Sequence, residues 1–280
     1  MKTFVKILLA CICALMVISC AEKQSSEESQ TTTEENAAGL VWSDEFNYSG
    51  APDSTKWGYD LGDGCPNVCG WGNNELEYYT SDSKNVRVEN GNLIIEVHKD
   101  RADSLKPYSS ARLVSKNKGD WLYGKIEVKA KLPSGVGTWP AIWMLPTEWK
   151  YGGWPESGEI DIMEHVGYDH GNVHGTVHTK AFNHSIGTQK GDSVLIKTVA
   201  EEFAVYAINW TPDQIEFMVN GEIYNIFTNN GQGFEAWPFD QKFHLLLNIA
   251  VGGNWGGKYG VDDSIWPQRM EIDYVRIYKN

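Results

Sequence analysis

The stretch "ESGEIDIMEHVG", Glu156 to Gly167, holds four carboxylates within nine residues, and three of them are set between aliphatic side chains. Successive side chains of a strand point to opposite faces, so Glu159 and Asp161 share one face while Ile160 and Ile162 take the other. Glu164 breaks the pattern, because it stands five residues from Glu159 and strict alternation turns it inward. One extra residue at Ile162-Met163, a β-bulge, restores it to the acidic face, and bulges concentrate near active sites. Glu156 falls outside the row, in the preceding loop. The plain alternative is an alternating strand whose acidic face meets solvent.

Outward from this stretch, the chain from Leu40 on is a series of short strand patterns and turns, with no long amphipathic helix. "NVRVENGNLIIEVHK" is two alternating runs across Asn90-Gly91, a strong hairpin signal. In "GKIEVKAKL", Ile126, Val128 and Ala130 face one way and Lys125, Glu127 and Lys129 the other. "FAVYAINW", "QIEFMVNGEIYNIF", "KFHLLLNIAVGG" and "RMEIDYVRIYK" continue the pattern, with a second Asn-Gly turn at Asn220-Gly221. Many strands at such spacing predict an all-β fold, a β-sandwich jelly roll, in one domain of residues 39–280.

The first 38 residues read differently. "MKTFVK" followed by "ILLACICALMVIS" is a basic start and an apolar run too short for an ordinary membrane span, the pattern of a signal peptide over residues 1–19. Val17-Ile18-Ser19-Cys20 resembles a bacterial lipobox, which makes Cys20 the expected lipidation site. Residues 20–38 are Ser/Thr/Glu-rich, without aromatics or periodicity, and read as a disordered tether. The expected location is therefore that of an exported bacterial lipoprotein, anchored to the outer membrane, the cell surface or the periplasmic side, with a monomeric folded domain.

The formal net charge is −13, and becomes −15 once Lys2 and Lys6 leave with the signal peptide. Such a surface repels nucleic acid and anionic polymers, so a neutral polymer is the better partner. The 12 Trp and 13 Tyr are either core filler or stacking surfaces for sugar rings. With Cys11 and Cys13 in the signal peptide and Cys20 lipidated, Cys65 and Cys69 in "GCPNVCG" read as a short-loop disulfide.

Carboxylates on a strand of Ile and Met need a reason, since burying charge is costly. Glycosidic cleavage supplies one: an ionised carboxylate attacks the anomeric carbon and a protonated one donates to the leaving oxygen. A third between them can hold a proton or orient the nucleophile, and like-charge crowding raises one of the pKa values. After the bulge, Glu159 and Glu164 stand on the order of 13 Å apart along the backbone, and long side chains leaning together can approach the ~5–5.5 Å of retaining enzymes.

Glu159-Ile160-Asp161-Ile162-Met163-Glu164 resembles the signature of glycoside hydrolase family 16 in its bulged form, typical of laminarinases (endo-β-1,3-glucanases). "WSDEFNYSG", "GWGNNELEYYT", "YGKIEVKAKLPSGVGTWPAIWMLP", "LNIAVGGNWGG" and "EIDYVRIYK" extend the likeness over nearly all of residues 40–280. The resemblance implies a jelly roll with a sugar-binding cleft on its concave face and retention of anomeric configuration. Glu159 would be the nucleophile, Asp161 its helper and Glu164 the acid/base. It also implies sugar stacking by Trp139 and Trp143, where the alternative is core packing, and places His178 near the leaving-group subsite, with His174 more structural. Asn74 would bond a sugar hydroxyl or serve turn chemistry. Arg112 would contact sugar or nucleophile, or make a surface salt bridge. Asn254 and Trp255 sit on a glycine loop, Trp255 as a further platform, and Trp154 shapes the cleft wall or packs. On the opposite face, Glu45, Gly91 and Asp273 match the positions of a structural Ca²⁺ that supports the fold and takes no part in chemistry; catalysis itself asks for no cofactor.

The expected activity is endo-acting, retaining hydrolysis of β-1,3-glucan (laminarin). The near alternative is mixed-linkage β-1,3/1,4-glucan. Sulfated galactans suit basic clefts and fit a strongly acidic chain poorly. A catalytically dead glucan-binding protein would lack the glutamates that this chain has. A transglycosylase would use the same covalent intermediate.

Overall fold

A computed structural model describes residues 39–279. Within it, the residues from Val41 on form one compact unit of strands, two short 3₁₀ turns and connecting loops. The expected signal peptide, the expected lipidation site Cys20 and the expected tether lie outside the described residues. Among those described, no helix is long and apolar enough to cross a membrane.

Two sheets carry the fold, as the alternating patterns predict. The ten-stranded sheet runs Glu222–Thr228, Gln214–Val219, Ala204–Trp210, Gly124–Lys131, Gln268–Tyr278, Asn92–Lys99, Tyr108–Ser110 and Glu77–Tyr79, with Leu40–Asp44 and Val86–Glu89 paired at its side. The eight-stranded sheet runs Lys190–Leu195, Asn172–His178, Glu159–His165, Thr138–Pro146, Phe243–Val251, Arg112–Val114 and Gly58–Tyr59, with Asp120–Trp121 beside Phe243–Val251. Nearly all pairings are antiparallel; Glu77–Tyr79 with Tyr108–Ser110 is parallel.

The core lies where the inner faces meet. Ile126, Val128 and Ala130 of one sheet and Ile160, Ile162 and Met163 of the other belong to the same buried cluster, with Leu245, Leu247 and Ile249. Burying each such side chain contributes roughly 1.5–3 kcal/mol, set against the entropy of ordering the chain. Both Asn-Gly hairpins form as read. Asn90 and Gly91 have φ of 53° and 78°, and Asn220 and Gly221 of 51° and 85°, the positive pair that a tight hairpin turn requires.

Cys65 and Cys69 are joined by a disulfide with an S–S distance of 2.01 Å. The oxygen ligands expected for calcium have other partners. Glu45 accepts from Nε and Nη2 of Arg276 at 3.0 and 2.7 Å. Asp273 pairs with Lys129 at 2.7 Å, and Gly91 occupies its hairpin turn. Both carboxylates are thus ion-paired to side chains of the same sheet region.

Candidate active site

The acidic strand lies between Thr138–Pro146 and Asn172–His178, and its register locates the bulge. Met163 pairs with Ile142 and Asp161 with Trp143, so Ile162 has no partner residue on that side. Across the other side, Asp161 pairs with Thr176 and Glu164 with His174, leaving Ile162 and Met163 opposite Gly175 alone. Both extra side chains enter the core, at 1% and 0% exposure. That double inward step is what returns Glu164 to the face of Glu159 and Asp161.

Lateral pairing then lays out the site in rows. Glu159 stands beside His178, and Asp161 lies between Thr176 and Trp143. Glu164 lies in a row with His174, Ala141, Asn248 and Arg112. Nε2 of His178 is 3.3 Å from Oδ2 of Asp161 and 3.7 Å from Oε1 of Glu159. Trp154 hydrogen-bonds Glu159 and packs against His178 and His184. At the other end, Nε1 of Trp139 donates to Oε1 of Glu164 at 3.0 Å, and Trp139 meets Trp255 edge-on with ring centroids 5.5 Å apart. His174 packs edge-on against Trp255 as well.

Burial governs the acidity of this row. It is the largest cause of a rise that brings Glu159, Asp161 and Glu164 each to about 8. For both glutamates the charge of Asp161 adds to burial within that rise, while His178 opposes it. Carboxyls this close cannot all ionise together, so the row loses its protons in steps that belong to the set. It retains protons at neutral pH, as an acid catalyst requires.

The remaining expected residues form the walls. Nε1 of Trp143 donates to Oδ1 of Asn248 at 2.7 Å, and Asn248 in turn donates to the Tyr79 hydroxyl. Arg112 is held between the rings of Trp71 and Trp143, 4.4 and 4.7 Å from their centroids, and ion-pairs with Asp60 at 3.1 Å. Its carboxylate partner is thus Asp60 and not the nucleophile, which corrects that part of the expectation: Arg112 braces two indoles. Asn74 donates to Asn254 at 2.9 Å, tying "GWGNNE" to "GGNWGG" at an exposed edge. In that glycine loop, a Cβ at Gly256 would come within 2.8 Å of Cβ of Trp139, so only glycine lets the loop lie on the indole.

Sequence reasoning missed a second carboxyl pair. Glu75 and Glu77 are 6% and 0% exposed and hydrogen-bond each other. Glu77 also accepts from the Val251 N–H at 2.7 Å, and Asn73 donates to Glu75. Burial raises both carboxyls, and the charge of Glu75 in turn raises Glu164. The two-residue spacing in "NNELEYY" was the available signal.

Residues 73–276 match the sequence profile described as "Glycosyl hydrolases family 16". The chain belongs to that family. This family 16 enzyme is 52% identical over 248 residues to a β-glucanase of Rhodothermus marinus, covering 86% of this chain and 85% of that one. Among solved structures it resembles the laminarinase of Rhodothermus marinus, with a TM-score of 0.82, 52% identity, and 86% and 96% of the two chains covered. It also resembles a non-specific endo-β-1,3(4)-glucanase of the family, with a TM-score of 0.80, 48% identity, and 86% and 90% covered. The family membership makes the chain a glycoside hydrolase and agrees with the jelly-roll architecture.

The Trp139–Glu164 contact has a measurable consequence. Trp139→Phe keeps a ring against Trp255 and removes only the N–H that holds Glu164. A hydrogen bond to an ionisable group contributes about 1.5–3 kcal/mol, so kcat should fall by about tenfold or more while KM stays within about twofold. Steady-state kinetics on a soluble glucan reads this; an unchanged kcat would detach that N–H from acid/base catalysis.

Proposed function

We propose that the enzyme cleaves β-1,3-glucan chains internally, with retention of configuration, by double displacement. The observation that carries the reading is the bulged strand, which sets three carboxyls on one face between indoles at both ends. Indole faces and edges suit the C–H faces of a neutral glucan, in keeping with the acidic chain.

Glu159 attacks the anomeric carbon while Glu164 gives its proton to the glycosidic oxygen, releasing one half of the chain. Glu164 then takes a proton from water as that water displaces Glu159, and the initial protonation states return. Negative charge is best held on Glu159, which has the Trp154 hydrogen bond and His178 nearby. Asp161, 3% exposed and beside Nε2 of His178, keeps a proton in the middle of the row and limits repulsion when Glu159 ionises.

The likeness to the non-specific endo-β-1,3(4)-glucanase supports a second reading, mixed-linkage β-1,3/1,4-glucan, by the same chemistry. Reducing-end release on laminarin, lichenan, agarose and carrageenan separates the readings. We expect laminarin to be cut fastest and the galactans to remain intact; cleavage of lichenan alone would transfer the proposal to mixed-linkage glucan. Proton NMR of fresh product should show the β anomer first, and an initial α signal would refute retention.

A further inference from the structure

The Glu159 end of the row has the composition of a transition-metal ligand set as well as that of a hydrolase site. Among the described residues, Glu159, Asp161 and His178 are the one group of three His, Cys, Asp or Glu whose ligand atoms all lie within 4.8 Å of one another. Neighbouring strand positions supply them, since Glu159 pairs directly with His178 and Asp161 lies one step along the same face. Oδ2 of Asp161 is buried, faces Nε2 of His178, and accepts no hydrogen bond. A buried carboxyl oxygen facing an imidazole nitrogen with no hydrogen bond between them is a pair of donors on a common space, and an ion entering it displaces the proton of Asp161.

The separations match an ion between the donors. A tetrahedral ion with bonds of about 2.0–2.1 Å sets adjacent ligand atoms about 3.3–3.4 Å apart. The imidazole nitrogen lies 3.3 Å from one carboxylate oxygen and 3.7 Å from the other. The third edge, between the two carboxylates, lies within 4.8 Å. One imidazole nitrogen and two carboxylate oxygens favour zinc or cobalt(II) over magnesium and calcium, which want six or more oxygens. Three protein donors leave the fourth position of a tetrahedral ion to water.

From this arrangement we propose that Zn²⁺ binds reversibly across Glu159, Asp161 and His178, and that it silences the enzyme by occupying the nucleophile. Nδ1 of His178 has no hydrogen-bond partner to lock the ring. Loss of such support weakens metal sites by about 10–100-fold, so affinity should be in the micromolar range. The silencing rests on the hydrolytic reading given above, whereas the binding does not.

Calorimetric titration of the whole protein with zinc chloride tests the binding without any glucan. The expected result is one equivalent bound, no comparable heat from magnesium chloride, and affinity at least about tenfold weaker in His178→Gln and Asp161→Asn. Cobalt(II) should give the intense visible absorption of a four-coordinate site in the unmodified protein, which needs no variant to fold. With laminarin, zinc should inhibit competitively and excess chelator should restore the rate. No saturable binding up to about 1 mM zinc, or wild-type affinity in both variants, would overturn the site. Binding without inhibition would overturn the silencing.

Discussion

Glu159→Ser should lower kcat on β-1,3-glucan by at least about four orders of magnitude and leave oligosaccharide affinity within a few-fold. The serine hydroxyl is too short to reach the anomeric carbon and too weak a nucleophile without an adjacent base, while the indoles that hold sugar stay in place. Binding by calorimetry and turnover by reducing-end assay read the two halves of this expectation. Azide gives a sharper discrimination. With an activated aryl glycoside, azide entering the space of the lost carboxylate should yield an α-glycosyl azide. Removing Glu164 instead leaves the covalent intermediate to be opened from the other face, giving the β-azide. A β-azide from Glu159→Ser would exchange the two assignments. Substantial residual hydrolysis would remove Glu159 from the chemistry altogether.

The catalytic row was legible because its signal is local. Period-two alternation placed Glu159 and Asp161, and the mismatch at Glu164 implied one extra residue, which the register finds at Ile162-Met163. The Asn-Gly hairpins were legible for the same reason, since the positive φ pair is demanded within two residues. What could not be read depends on partners distant in the chain. Arg112 is clamped by Trp71 and Trp143, from two different loops and strands, so sequence spacing gives no sign of which charge it meets. Trp139 was expected as a stacking ring, and its N–H proves equally relevant because the bulge brings Glu164 beneath it. The ion pairs of Glu45 with Arg276 and of Asp273 with Lys129 likewise join positions that sequence spacing does not connect. Glu75 and Glu77 lie two residues apart in a segment too short to show a face. Their burial arises only when Glu77–Tyr79 pairs in parallel with Tyr108–Ser110 and Glu77 reaches the Val251 N–H.

That second carboxyl pair yields the other large expected effect. Glu77→Gln should stabilise the fold at pH 8 and do so progressively less as the pH falls towards 4. Burial holds both Glu75 and Glu77 above the ordinary carboxylate range. Below about pH 4.5 the folded and unfolded chains are both protonated at these positions, and the pair costs nothing in charge. As pH rises through that value the unfolded chain ionises while the folded chain keeps its proton. Stability therefore falls with rising pH until the native groups ionise as well. A glutamine at position 77 retains an oxygen for the Val251 N–H and offers its amide N–H to Glu75, while removing one of the two buried titratable carboxyls. A gain of about 1–2 kcal/mol at pH 8 is reasonable for that relief, which in a domain of this size raises Tm by about 2–8 °C. Thermal melts of both proteins from pH 4 to 8 give the test. A Tm difference that is flat across this range, or that grows towards acid, would mean that the two carboxyls do not share a proton in the folded protein.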